Sequence, residues 1–314
     1  MDAPSVKNGL GFLTIATGHD RYAKQAEILL LSLKRNMPGI PVAVVTDNPR
    51  LAAVADHVVP PLTNLSAGVV QKAWLDHYTP FTETLFIDSD CIATRPFVEE
   101  LQQIRRFDFS PAMERVTQRD GTDEYVANLT EALQMIGGDS YPKFNGGVYF
   151  FNASARSAAV FRMAREFHEN YRAYGIKTFD KSGPGEETIF ALALAKLGLT
   201  DLYHDHGRLM RTPTGLRGAL AIEPLGGGCS FERHDGKVSP AICHFAGPYI
   251  FLPEYRLAAY SLAHDVPMAE VGTGVRTWTS LQCFLARTTK LVEYKIHGLK
   301  GRLQGSAVNI QQKQ

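Results

Sequence analysis

The sequence predicts an α/β protein, a doubly wound sheet with right-handed crossovers flanked by helices. Three observations lead there. Short apolar runs alternate with segments of helical spacing from residue 10 onward. Glycine, proline, asparagine or aspartate punctuates the changes of period. One run, Thr84-Leu85-Phe86-Ile87, passes straight into Asp88-Ser89-Asp90 before apolar residues resume at Cys91-Ile92. Carboxylates that end a strongly apolar strand stand where open α/β sheets bind their ligands.

In order, Leu10 to Thr17 reads as a first strand, broken by Gly18. A helix follows, with Tyr22, Ala26, Leu29, Leu30 and Leu33 at helical spacing, stopped by Met37-Pro38-Gly39. Pro41 to Thr46 is a strand closed by the turn signal Asp47-Asn48-Pro49, and Val58-Val59 a short third strand. Ser66 to Tyr78 reads as a helix and Glu83 to Asp88 as the strand that carries the carboxylates. Phe107 to Ala112 is a further strand, and Glu124 to Ile136 a helix closed by Gly137-Gly138. The polar stretch between them, Glu114 to Asp123, is expected to form a lid. Phe144-Asn145-Gly146-Gly147 reads as a sharp turn into the buried strand Val148 to Asn152, although paired glycines also admit a ligand close to the backbone. Ser154 caps a long helix reaching Tyr174. Ser182 to Glu187 opens the apolar helix Thr188 to Leu197, and Ala241 to Gly247 is a short strand that releases His244 into a glycine turn.

The chain has 314 residues, 45% hydrophobic and 21% charged, with a net charge of +1. These values suit a globular protein with a sizeable core and argue against a general nucleic-acid binder. Cys91, Cys229, Cys243 and Cys283 lie far apart with no C-x-x-C, so no zinc site or disulfide framework is indicated. No signal-peptide pattern opens the sequence, and no run of about 18 apolar residues spans a bilayer, so a cytoplasmic location is expected. The dinucleotide glycine fingerprint is missing after the first strand, as is a P-loop.

If the chain stays extended across Asp88 and Asp90, both point to one face and Ser89 to the other. Two close carboxylates repel each other unless a proton or a cation intervenes, and a hard divalent ion is the natural partner. His244 gains chemical meaning as a third ligand. Glu186 and Glu187 sit in a first helical turn, where the helix dipole alone would account for them.

Five stretches together resemble the GT-A fold glycosyltransferases, most closely family 8. They are Thr14 to Tyr22, Lys72 followed by Leu85 to Asp90, Phe144 to Asn152, Glu186 to Phe190, and His244 to Gly247. The resemblance implies a Rossmann-like, nucleotide-diphospho-sugar transferase architecture with a mixed sheet flanked by helices. It implies metal-dependent transfer of a hexose from a nucleotide-diphosphate sugar, a UDP-sugar being expected, to a glycan or lipid-linked glycan, with retention. Asp88, Asp90 and His244 would hold Mn²⁺, with Mg²⁺ as the alternative. Thr17, Tyr22, Lys72, Ser89, Asn145, Gly146 and Gly247 would meet the donor. Glu187, with Glu186 beside it, is the candidate to stabilise an oxocarbenium-like sugar. The chain departs from the family in carrying Glu186-Glu187 for aspartate-glutamine. It also lacks a lysine shortly after the His244-Gly247 turn, where the next base is Arg256.

Two other readings share the motif. In a haloacid-dehalogenase-like phosphatase, Asp88 would be the nucleophile and Asp90 the acid/base with Mg²⁺. In an inactive GT-A protein the same site would only bind sugar.

Residues 1–271 are read as the catalytic domain and 272–314 as a basic, partly amphipathic tail. The tail holds seven bases, Arg276, Arg287, Lys290, Lys295, Lys300, Arg302 and Lys313, against Glu293. Trp278, Leu281 and Leu285 in it fall at helical spacing. This pattern is expected to favour an anionic membrane surface, as a peripheral protein of the inner face.

Overall fold

The computed structural model describes residues 9–63, 65, 68–179 and 183–289. The first half alternates strand and helix: β1 (Leu10–Ala16), α1 (Asp20–Asn36), β2 (Val42–Thr46) and β3 (His57–Val59). The next elements are α2 (Leu75–Tyr78), β4 (Glu83–Ile87), β5 (Cys91–Ala93) and α3 (Val98–Ile104). They are followed by β6 (Phe109–Gln118), α4 (Leu129–Ile136), β7 (Ser140–Asn152), α5 (Ala155–Glu169) and α6 (Glu186–Lys196). The second half adds β8 (Met210–Arg211), β9 (Arg217–Glu223), β10 (Gly228–Arg233), β11 (Gly236–Val238), β12 (Ile242–His244) and α7 (Pro253–His264). Residues 273–289 form a last helix, α8.

The central sheet runs β3-β2-β1-β4-β7-β6. Its β3, β2, β1 and β4 are parallel, whereas β7 is antiparallel to both β4 and β6. The predicted α/β architecture, a mixed sheet flanked by helices, is therefore the fold. Alternation along the strands feeds two cores. Phe86, Tyr149 and Phe151 turn to the side of Phe161 and Phe190 on α5 and α6. Leu85, Ile87, Val148 and Phe150 turn to the side of Leu29, Leu30 and Leu33 on α1.

Several boundaries differ from the sequence reading, each for a local reason. The stretch expected as a helix from Ser66 contains a 3-10 turn, Val69–Trp74, and only four α-helical residues in α2; Ser66 itself lies outside the described residues. The first half of the expected lid, Glu114 to Gln118, is the outer part of β6, held against β7 by pairs such as Arg115 with Lys143 and Thr117 with Tyr141. The helix expected from Glu124 begins at Leu129, where the Asn128 side chain accepts the Glu131 N–H. Ser154 does cap α5, but that helix stops at Glu169 and a separate 3-10 turn covers Tyr171–Tyr174. The three-stranded sheet β9-β10-β11 was not anticipated at all.

A third sheet, β5-β12-β8, positions the site. In it β12 runs antiparallel to β5, with His244 opposite Cys91. That register sets a histidine from late in the chain beside the residue that follows Asp90.

Candidate active site

Past Ile87 the chain does not stay extended. The Asp88 N–H donates to the Gly147 carbonyl (2.9 Å) and the Cys91 N–H to the Asp88 carbonyl (3.0 Å), making Asp88-Ser89-Asp90 a turn. This turn, rather than a strand's period of two, presents the two carboxylates together. The imidazole of His244 meets them: Nε2 is 3.1 Å from Oδ1 of Asp90 and 3.7 Å from Oδ2 of Asp88. Its other nitrogen, Nδ1, lies 2.7 Å from Oδ1 of Asn145 and 3.1 Å from the Thr212 hydroxyl.

Asn145-Gly146-Gly147 is not a turn but the interior of β7. The glycines are there for space. A β-carbon on Gly147 would stand 2.6 Å from Nδ1 of His244, and one on Gly146 would collide with Oε1 of Glu186. The Gly146 N–H donates to Oε1 of Glu187 (2.7 Å). Lys72 completes the cluster, donating to Oδ2 of Asp88 (2.8 Å), Oε1 of Glu186 (2.7 Å) and the Gly146 carbonyl (3.0 Å).

Charge in this small volume is unevenly held. Burial opposes the protonated imidazole of His244, but Asp90 and Asp88 outweigh it and its pKa rises. Burial would lift Asp90 too, yet the adjoining His244 holds it below the usual range. Asp88 is raised, by burial and by Asp90, against the pull of Lys72. Burial disfavours the Lys72 ammonium, but Asp88 and Glu186 overrule it and its pKa is raised. Burial and the charge of Glu186 push Glu187 up to about 7.

The donor set fits a divalent cation. Ligand atoms of Asp90, Cys91 and His244 lie within 4.8 Å of one another, with an Asp88 oxygen adjacent. Two carboxylates and an imidazole suit Mn²⁺ or Mg²⁺. Burial raises the Cys91 thiol far above its ordinary pKa, which makes it the weakest of these donors. The buried Tyr149 hydroxyl, close to Gly146, has no hydrogen-bond partner among the described residues.

Asp88, Asp90, His244, Lys72, Asn145, Gly146, Glu186 and Glu187 thus come together. Tyr22 and Gly247 line an adjoining cavity of about 1210 Å³ that also reaches Asp90. Thr17 and Ser89 are buried, at the end of β1 and between the two aspartates. Sequence reasoning missed Cys91 and Thr212. Adjacency to Asp90 could have flagged the first; nothing in the chain around Thr212 announces that it will reach His244.

No family model matches the sequence, and no curated protein does. Among solved structures the chain is similar to the galactosyltransferase LgtC in complex with donor and acceptor sugar analogues. That likeness has 18% identity, covers 80% of this chain and 95% of that one, and has a TM-score of 0.48. It is also similar to the bifunctional glycosyltransferase WbbM, with 12% identity, 90% of this chain, 52% of that chain and a TM-score of 0.49. The glycosyltransferase GlyE of Streptococcus pneumoniae TIGR4 gives 12% identity, 62% and 44% coverage, and a TM-score of 0.38.

Proposed function

We propose that the chain is a GT-A-type glycosyltransferase, most like family 8, that uses a divalent cation. In this reading it moves a hexose from a UDP-sugar to a hydroxyl of a glycan or glycolipid, with retention. The observation that carries the reading is the convergence of Asp88, Asp90 and His244 beside Lys72, Glu186 and Glu187, with Asp90 also lining a large cavity.

Mn²⁺ suits the imidazole better than Mg²⁺ does, and once bound it would offset the charge that develops on the departing diphosphate. The chain's own groups do the rest. Asn145 engages Nδ1 of His244, which turns Nε2 towards the two aspartates. Lys72 fixes Asp88 and Glu186 and offsets their charge. Glu187 supplies a carboxylate to stabilise an oxocarbenium-like sugar. In the absence of a dedicated base, the departing phosphate oxygen takes the acceptor proton on the face it leaves, which yields retention.

The test is UDP-sugar hydrolysis with Mn²⁺. Activity should vanish with EDTA and fall by orders of magnitude in Asp90→Ala and His244→Ala while the fold persists. Full turnover in EDTA would sink the scheme. An inverted anomeric product by NMR would move the chain to another GT-A family. The phosphatase reading needs Asp90 as a proton donor, and its depressed pKa makes it a poor one; phosphomonoester hydrolysis with Mg²⁺ tests that directly.

The reading extends to location on an anionic inner membrane face, near a lipid-linked acceptor. What supports it is α8, which turns Thr279 and Cys283 inward and leaves Trp278, Leu281, Phe284 and Leu285 exposed at 61%, 47%, 65% and 56%. No helix among the described residues is long and apolar enough to cross a membrane. Lys290 and the bases beyond it lie outside the described residues.

A further inference from the structure

The cavity beside Asp90 is walled by α1, the Gly247–Leu252 segment, α7 and α8. Four bases line it: Arg21, Lys24, Arg256 and Arg287. One of them is paired with a carboxylate, and a second is turned onto its neighbour's ring. Lys24 pairs with Asp20 (2.8 Å), and Arg21 lies over the Tyr22 ring while donating to the Tyr22 hydroxyl (2.6 Å). Arg256 and Arg287 have no carboxylate within ion-pair distance among the described residues. Arg256 instead donates to Oε1 of Gln282 on α8 (2.9 Å), a neutral partner that orients the guanidinium without discharging it. Both arginines line the cavity, Arg256 from α7 and Arg287 from α8, and both lie near enough to Cys283, as Glu254 does, to influence its thiol.

Guanidinium groups from α7 and α8 that line one cavity without an ion-paired carboxylate of their own favour an anion there. Guanidinium forks match phosphate oxygens in pairs of parallel hydrogen bonds. The same cavity includes Asp90 of the candidate metal centre and Gly247 beyond His244. An anion seated here lies in a cavity that reaches a cation site. A pyrophosphate group fits that arrangement, because its two phosphates can face two sources of positive charge at once.

We propose that Arg256 and Arg287 form a diphosphate grip built jointly by α7 and α8, so that α8 is a wall of the substrate cavity. The identity of that diphosphate as a sugar donor's rests on the glycosyltransferase reading; a lipid diphosphate would present the same chemistry. The grip predicts that residues 273–289 are needed for substrate affinity in solution, with no membrane present.

Titration calorimetry on the full chain tests this, with UDP, uridine, inorganic pyrophosphate and a short alkyl diphosphate as probes in the presence of Mn²⁺. Arg287→Ala and Arg256→Ala should each weaken UDP and pyrophosphate by about tenfold or more, and leave uridine unchanged. Arg287 is exposed, so its variants should fold; Arg287→Glu provides a charge-reversed check with a larger loss, and melting curves verify the fold. If wild type and both alanine variants bind UDP alike, the grip is wrong and the donor reading stands. If UDP does not bind but pyrophosphate or the alkyl diphosphate does, with loss in the arginine variants, the grip stands and the UDP donor falls. Failure of every diphosphate to bind wild type overturns both.

Discussion

A β-carbon at position 147 would press on Nδ1 of His244 from 2.6 Å, the nitrogen that Asn145 and Thr212 hold. Gly147→Ala should therefore tilt the imidazole away from Asp90 and weaken Mn²⁺ binding by about 10–100-fold, as disturbed outer-shell partners do. Unchanged affinity would show that the ring's orientation is set elsewhere. Glu187 is a different case, because its cost is electrostatic. Its pKa in the fold, about 7, exceeds the ordinary 4.5, so the folded protein keeps a proton that the unfolded chain has released. Stability is then lost as pH rises through that window and stays low above it. Burial and Glu186 raise this pKa, and the Gly146 N–H, Lys72 and Lys143 oppose them. Glu187→Gln can still accept the Gly146 N–H, and it removes the cost. The variant should melt a few degrees above wild type at pH 8, melt like wild type near pH 4, and lose transferase activity. Equal melting at pH 8 would show that the carboxylate is not strained in the fold.

At the scale of elements, α6 is buried on every side from Thr188 to Ala195, and that burial fixes the position of its first two residues. The 3-10 turn that carries Lys72 approaches Glu186 at the start of α6, so one ammonium ties it to Asp88 and to that helix. Lys72→Met would leave Asp88 and Glu186 without their cation. Loss of about 3–5 kcal/mol is expected, the usual penalty for breaking a buried ion pair. Added Mn²⁺ should recover part of it as a rise in melting temperature. If the melting point is unmoved by the substitution, Lys72 is not what holds these elements together. The strands and the first helix were legible because their signals are local: Leu85, Phe86 and Ile87 announce a buried strand with no help from elsewhere. Two site features were not. Gly146 and Gly147 gave the same signal whether they made a turn or made room, and only the nearness of Glu186 and His244 decides. The pairing of His244 with Cys91 joins strands far apart in the chain, and nothing local encodes a register of that range. The sheet β9-β10-β11 was hidden by its own glycines, Gly218, Gly228 and Gly236, all at positive φ and all reading as loop.

For the molecule as a whole, charge and apolar surface are segregated in the same direction. The chain carries +1 in all, while residues 272–314 hold seven bases against one acid, so the remainder is net negative. Within that region α8 turns small residues to the body and its largest apolar side chains to solvent, which reverses what a helix packed on a core would do. Apolar side chains flanked by bases match an anionic lipid surface: the side chains enter the interface, and each base near it adds about 1 kcal/mol. A purely electrostatic attachment would fade completely with salt, and a purely apolar one would ignore lipid charge. The combination predicts sedimentation with anionic vesicles that weakens but persists at high salt, and little binding to neutral vesicles. Trp278→Ala with Phe284→Ala should abolish the salt-resistant part, since neither side chain supports the fold. Removing residues 290–314 should abolish the salt-sensitive part, since five of the seven bases lie there. If the double variant partitions like wild type, the exposed face of α8 meets something other than lipid. A dimer in solution that the same variant dissociates would identify a second copy of the chain as that partner. Arg287 adds a constraint, because it lines the cavity from the same helix. Vesicle docking should therefore leave UDP affinity intact or raise it, and a loss of affinity on docking would mean that the membrane face and the substrate wall cannot both belong to α8.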